Sequence, residues 1–243
     1  MRYQLRFSQY NERSILVEWP SEISNDILQD VLVFKKIIEN NYNKQIIEVI
    51  SAYNSILIVY VLTIDNVNST FVELKALSEV EHNSKLETSK TFKIPVCYDA
   101  EFAVDLQSFS NAKGLSKHEI IKRHTQEFYS VFFVGFLPGF LYLGGLDSSL
   151  HLDRKNTPNL NIKKGSVAIG GKQTGIYPQD SPGGWHIIGN SPVELFSPKR
   201  NPPCFIKAGD RVKFYSVSVT EYYRIKSDMM SSSFNVETFL NHG

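Results

Sequence analysis

Apolar and polar positions alternate from the start of the chain. Tyr3, Leu5 and Phe7 are separated by Gln4 and Arg6, the period-two pattern of a half-buried strand, and Ser14–Trp19 reads as its hairpin partner. After Ser24, Ile27, Val31, Phe34 and Ile38 recur every three or four residues, which predicts a helix capped by Ser24 and running to about Asn40. Gln45–Ile50 and Ser55–Leu62 are rich in Ile and Val and read as strands. Phe71, Leu74, Leu77 and Val80 then line one side of a second helix over Phe71–Val80. Strand, helix, two strands, helix is the core of a ferredoxin-like α/β sandwich, an α+β domain over residues 1–85. The polar run Glu79–Lys90 reads as a linker.

A second pattern begins at Thr91–Tyr98, another strand, followed by short helices at about Val104–Lys113 and Lys117–Gln126. Gly114 can end the first in a left-handed conformation, and Ser116 with Glu119 forms a capping box for the second. From Glu127 at least six short strands alternate with turns, predicting a closed or nearly closed barrel over 91–222. All fourteen glycines lie at or after Gly114, and eight of the ten prolines lie between Pro138 and Pro203, so special backbone positions concentrate in this part. Residues 223–243, polar and Ser-rich, read as a poorly ordered tail.

Charge excludes more than it suggests. The net formal charge is +1, which argues against a general nucleic-acid binder. Ser110, Gly114 and Ile120 roughly match helix-turn-helix spacing, with Lys117, Lys122 and Arg123 on the second helix, but Glu119 and the near-neutral charge oppose that reading. Cys97 and Cys204 have neither a disulfide framework nor zinc-site spacing; they read as structural thiols in a reducing, cytoplasmic setting. The N-terminus lacks the continuous apolar core of a signal peptide. Val131–Leu146 is broken by four glycines and Pro138, too interrupted to span a membrane.

Three Gly-rich segments could carry chemistry. In 134–146, Pro138-Gly139 marks a turn within an apolar run, where a ligand or another backbone can approach closely. In 165–178, Gly171 stands where a P-loop needs Lys, and Gln173 follows Lys172 where a magnesium-binding hydroxyl is required, so a P-loop is rejected. Gly170-Gly171 could still form an anion nest, and Gln173, Thr174 and Tyr177 could supply neutral hydrogen bonds. In 179–189, Trp185 beside His186 sets a flat aromatic wall near a titratable group. Ser181 lacks the Gly-x-Ser-x-Gly elbow of a serine hydrolase, and Asp180 with His186 establishes no triad. A helical His124 is more often structural than catalytic. Arg154 and Arg200 each could grip a carboxylate or phosphate, although a solvated arginine is the commoner outcome.

Taken together, 135–140, 170–178 and 181–189 resemble in order and spacing the allophanate hydrolase subunit 1 family, which includes the 5-oxoprolinase B component and the Kip inhibitor of a sporulation histidine kinase. Residues 94–98, His124-Thr125, 198–203 and 208–214 extend the match, which is strong over about 90–217. The resemblance implies a C-terminal cyclophilin-like β-barrel after an N-terminal α+β domain. It implies work with a C subunit and an A subunit that opens the lactam of 5-oxoproline to glutamate at the expense of ATP, with Mg in the complex and no metal site in this chain. A kinase-inhibitor role and a biotin-linked carboxyltransferase role are the related alternatives.

On this reading His124 serves as catalytic proton or hydrogen-bond donor. Pro138, Gly139, Phe140, Arg154, Gln173, Thr174, Tyr177, Ser181, Trp185 and Arg200 bind substrate. One departure stands out: where the family pattern has a second Arg and a Pro before the Gly-Ser-Val strand, this chain has Asn159 and Lys163.

Overall fold

Residues 3–79, 88–229 and 235–240 are described in a computed structural model, which divides into two units, residues 1–88 and 89–243. In the first, β1 (Arg6–Asn11) and β2 (Ser14–Glu18) form the expected hairpin, with Phe7 opposite Val17. Helix α1 (Asn25–Asn41) is followed by β3 (Ile46–Ser51), β4 (Ser55–Tyr60) and α2 (Val67–Glu79). The four strands are antiparallel in the order β1-β2-β4-β3.

Alternation decides which face is buried. Ile15 and Val17 of β2 and Ile56 and Ile58 of β4 point to one side, where Ile27, Val31, Phe34 and Ile38 of α1 and Leu74 of α2 complete the core. Burying each such side chain contributes roughly 1.5–3 kcal/mol. The Ser24 hydroxyl caps α1 by accepting the Asp26 N–H at 3.2 Å. Helix α2 starts a turn before the apolar stripe suggests, because the Asn66 side chain accepts the Ser69 N–H at 3.0 Å and caps it there. Val80 and most of the 79–90 linker lie outside the described residues.

In the second unit β5 (Thr91–Val96) precedes α3 (Leu106–Lys113) and α4 (Lys117–Gln126). Eight strands follow: β6 (Phe128–Val134), β7 (Leu141–Gly144), β8 (Asn159–Ile162), β9 (Ser166–Gly170), β10 (Gln173–Ile176), β11 (Ser181–Gly183), β12 (His186–Asn190) and β13 (Arg211–Ser216). Gly114 ends α3 at φ 62°, and the Ser116 hydroxyl accepts the Glu119 N–H at 3.1 Å.

The main sheet has seven strands in the order β12-β9-β10-β7-β6-β13-β5, all antiparallel neighbours except β13 and β5. It curls until its edges touch. Past the end of β5, the Cys97 N–H donates to the Asn190 carbonyl at 2.8 Å, and the Asn190 N–H returns to the Cys97 carbonyl at 2.9 Å. Ile94, Val131, Leu143, Val167, Ile169, Ile176 and Phe214 fill the inside, joined by Phe109 of α3 and Ile120 of α4. Strands β8 and β11 form a separate two-stranded ribbon. The chain is thus mixed α/β, with a curled sheet in its second unit.

The tail expected from residue 223 is helical at its start. Helix α5 (Val219–Met229) buries Tyr222 and Ile225, an amphipathic spacing masked by the polar residues between them. Phe239 is also buried, and Leu240 bridges Phe92. Residues 230–234 and 241–243 lie outside the described residues. Cys97 and Cys204 are free, and burial pushes both thiols up, away from the reactive thiolate. No described helix is long and apolar enough to cross a membrane.

The closing rung depends on the Asn190 side chain. Its Nδ2 donates to the Lys164 carbonyl at 3.0 Å, and its Oδ1 accepts the Tyr222 hydroxyl at 2.8 Å. Asn190→Ala strands both partners, so urea unfolding should report a loss of roughly 2–3 kcal/mol. Adding Tyr222→Phe, which removes one orphan, should recover part of it.

Candidate aromatic and arginine site

The curled sheet has two apolar faces. Along β10, Thr174 and Ile176 turn inward, while Gly175 and then Tyr177 face the other side. On that outer side Phe140, Ile162, Ala168, Tyr177, Trp185 and Ile187 form their own cluster. Trp185 lies against bare backbone: a Cβ at Gly170 would come within 2.5 Å of its indole, and one at Gly175 within 2.7 Å of the Leu141 carbonyl and 3.1 Å of Trp185. Phe140 meets Tyr177 and Trp185 edge-on at 5.0 and 5.6 Å. Tyr142 is 5.9 Å from Trp185 and stacks at 4.1 Å on Phe133, its register partner across β6 and β7.

Arg154 completes the surface. Its guanidinium lies 5.8 Å from the Trp185 ring centroid, exposed, and no carboxylate pairs with it among the described residues. The loop that carries it is pinned from several sides. The Lys155 N–H donates to the Gly184 carbonyl at 2.8 Å, and the Lys155 ammonium pairs with Asp105 at 2.6 Å. Asp105 also accepts the Ile187 N–H at 2.8 Å, and His186 Nε2 lies 2.9 Å from the Asp153 carbonyl, which can only accept from it. Burial pushes the Tyr142 hydroxyl up and that of Tyr177 to about 12, with the Arg154 charge opposing both, so both are neutral at pH 7.

The turn before Phe140 is strained. Phe136 has φ 67°, a left-handed conformation costly for a bulky residue, yet its ring is 62% exposed. Gly139 has φ 84°, and a Cβ there would meet Phe196 at 2.5 Å. Pro138 is exposed beside it. Phe136 packs on Phe140 at 5.7 Å, and Phe140 in turn packs on Trp185, so the strained turn and the unpaired arginine meet the same aromatic cluster.

The remaining site candidates go elsewhere. His124 is fully buried, stacked 4.7 Å from Phe214. Thr174 gives its hydroxyl proton to the Ala168 carbonyl at 3.0 Å, so its oxygen accepts from His124 Nε2 at 2.9 Å. Nδ1 therefore accepts the Tyr98 hydroxyl at 2.7 Å, and both ring nitrogens are occupied away from solvent. Burial lowers the His124 pKa to about 3, so the ring is neutral. The Arg200 guanidinium is used within its own loop, donating to the Leu195 and Glu194 carbonyls at 3.2 Å each and covering Phe205 at 5.3 Å.

Gln173 is buried opposite Gly170 at the start of β10. Ser181 sits in the β8–β11 ribbon with its hydroxyl buried and without a partner. The Gly170-Gly171 nest does not form as expected, because the Gly171 N–H is taken by the Leu152 carbonyl at 2.7 Å. Asp180 pairs with Lys163 at 3.1 Å and accepts the Lys164 N–H at 2.7 Å, so it does not orient His186. Phe133, Tyr142 and Asp105 were not among the sequence candidates. The Tyr142 position between Leu141 and Leu143 signals only an outward-facing side chain.

The family model of the carboxyltransferase domain, subdomain C and D, matches residues 5–206. The chain belongs to this family. It is 34% identical over 239 residues to the 5-oxoprolinase B component of Bacillus subtilis (strain 168), covering 94% of this chain and 98% of that protein. Among solved structures, TTHA0988 superposes with a TM-score of 0.72 at 28% identity, over 85% of this chain and 40% of that protein. The Kluyveromyces lactis urea carboxylase shares the fold, with a TM-score of 0.77 at 20% identity over 93% of this chain and 23% of that enzyme. The chain thus spans less than half of either solved protein.

Two outcomes test this geometry. Gly170→Ala should displace Trp185, shift its fluorescence to longer wavelength in a Trp19→Phe background, and cost about 1–3 kcal/mol. The His124 pKa is lower folded, about 3, than its ordinary 6.5, so in that window the unfolded chain takes up a proton that the folded chain rejects. Its contribution to stability is complete above pH 6.5 and is lost as pH falls toward 3, with a slope up to ~1.4 kcal/mol per pH unit. Urea midpoints measured across this range should show that slope in the wild type and a flatter one in His124→Gln.

Proposed function

We propose that this chain is the B component of an ATP-dependent 5-oxoprolinase and helps to open the lactam of 5-oxoproline to glutamate in complex with a C subunit and an A subunit. The observation that carries the reading is the match at 34% identity to nearly the whole of a 5-oxoprolinase B component. On the same reading the first unit is a ferredoxin-like sandwich, in which β2, α1, β3, β4 and α2 supply the βαββα order and β1 takes the place of the last strand. The second is a cyclophilin-like barrel, and the protein acts in the cytoplasm.

The Arg154 and Trp185 face is the contribution of this chain to a cleft completed by the C subunit. A lactam acid carries a carboxylate and a flat amide ring. The unpaired Arg154 guanidinium suits the carboxylate, and Trp185, Tyr142 and Phe133 offer the ring an apolar wall. Tyr142 orients the substrate, buried Tyr177 and Gln173 support that wall from within the fold, and the turn of Pro138 and Gly139 borders it. His124 and Thr174 support β10 from the inner side, and Arg200 holds its own loop, since their polar atoms are already bonded within the fold.

On this reading ATP and Mg act in the complex. No P-loop is present in 165–178, and no cluster of three potential metal ligands occurs among the described residues. What this chain supplies is positioning and charge complementarity for a resonance-stabilised amide.

The test is ATP-dependent glutamate formation from 5-oxoproline by the reconstituted complex, omitting each component in turn. Activity should require this chain, and Arg154→Ala should reduce kcat/KM by about tenfold or more, mostly through KM, with little rescue by Arg154→Lys. Turnover without this chain would overturn the assignment, and undiminished turnover in Arg154→Ala would remove that residue from the site.

A further inference from the structure

The first unit holds a cavity that the oxoprolinase reading does not use. It measures about 320 Å³ and is bounded by the end of β4, the segment after it, the approach to β3, and α2. Tyr42, Tyr60, Leu62, Asp65 and Glu73 line it, with Lys44 as the one cation among the lining residues. Tyr60 is 8% exposed, and its hydroxyl is buried with no hydrogen-bond partner. An orphan hydroxyl in a core strand is unfavourable unless something supplies a partner. The Tyr42 hydroxyl donates to Glu73 at 3.3 Å, and its ring meets that of Tyr60 edge-on at 6.4 Å. Neither Glu73 nor Asp65 forms an ion pair among the described residues. Burial keeps both phenols protonated, so the lining carries two carboxylates against one ammonium.

We propose that this cavity binds a small organic cation rich in N–H donors, a guanidinium or primary ammonium on a short aliphatic chain. Glu73 retains carboxylate lone pairs beyond the one that Tyr42 uses, enough for a charge-assisted contact. The Tyr42 and Tyr60 rings line the cavity and give the charge aromatic neighbours. The Tyr60 oxygen accepts one of the N–H groups. Exposed Val61 and Leu62 at the rim cover the alkyl chain. A neutral ligand of the same shape would leave the carboxylates uncompensated. The inference rests only on the first unit, so it stands or falls separately from the lactam assignment.

The test uses the full chain, isotopically labelled, and follows its amide NMR signals during titration with butylguanidinium, butylammonium and butylurea, a neutral near-isostere of the first. At least one of the cations should give saturable shifts around Tyr42, Tyr60, Asp65 and Glu73, with butylurea about tenfold weaker. Glu73→Gln, an exposed helix position whose fold the same spectra verify, should weaken the cation about tenfold and leave butylurea unchanged. Tyr60→Phe should weaken the cation as well. Absence of saturable shifts with both cations, equal binding of butylurea, or unchanged affinity in Glu73→Gln would overturn the proposal.

Discussion

A sheet that is apolar on both faces must find two different covers, and the second unit depends on how it does so. Aliphatic residues and Phe214, with helix residues such as Phe109, fill the inner side. The outer side is covered by a few rings laid on glycine backbone. Trp185 can lie close to β9 and β10 only because Gly170 and Gly175 have no side chain there. Its position then gives Arg154 a ring to rest on, sets the edge that Phe140 packs against, and leaves Tyr142 facing the surface. A single large residue in either glycine's place would dismantle the whole face.

Buried polar groups in this unit are resolved by chains of bonds rather than by exclusion. The Tyr98, His124, Thr174 and Ala168 relay crosses the interior and links the segment after β5 to α4, β10 and β9. Asp105 has two partners at the N-terminus of α3: its carboxylate takes the Lys155 ammonium and the Ile187 N–H. Asn190 ties the closing rung to α5. Each group would be costly if unpaired and is therefore specific about where its neighbours stand. The same principle isolates Tyr60 and Ser181, whose buried hydroxyls lack partners.

Much of the architecture was legible in the order of residues. The hairpin, α1 with its Ser24 cap, and α4 with its Ser116 cap follow from periodicity and local capping, which act over a few residues. The Gly-rich segments, far apart in the chain, converge on one surface, where Phe140, Tyr177 and Trp185 gather. Less legible were α5, whose two buried residues are diluted by polar neighbours, and α2, whose cap lies before its apolar stripe. Asn159 and Lys163, which depart from the family pattern, fall on and beside β8, where Lys163 pairs with Asp180.

The division between sequence and structure follows the range of the forces. Periodicity, caps, turn glycines and family motifs are local, and by themselves they determined most elements and the family. Whether a polar residue meets solvent, a ligand or another buried group depends on residues far along the chain. His124 is withdrawn because Tyr98 and Thr174, 26 and 50 residues away, close around it. Arg200 is used up by carbonyls of its own loop, whereas Arg154 is left unpaired on Trp185. Three candidates of similar chemistry thus received different fates, decided only by burial and by which partners the curled sheet brought within hydrogen-bond reach.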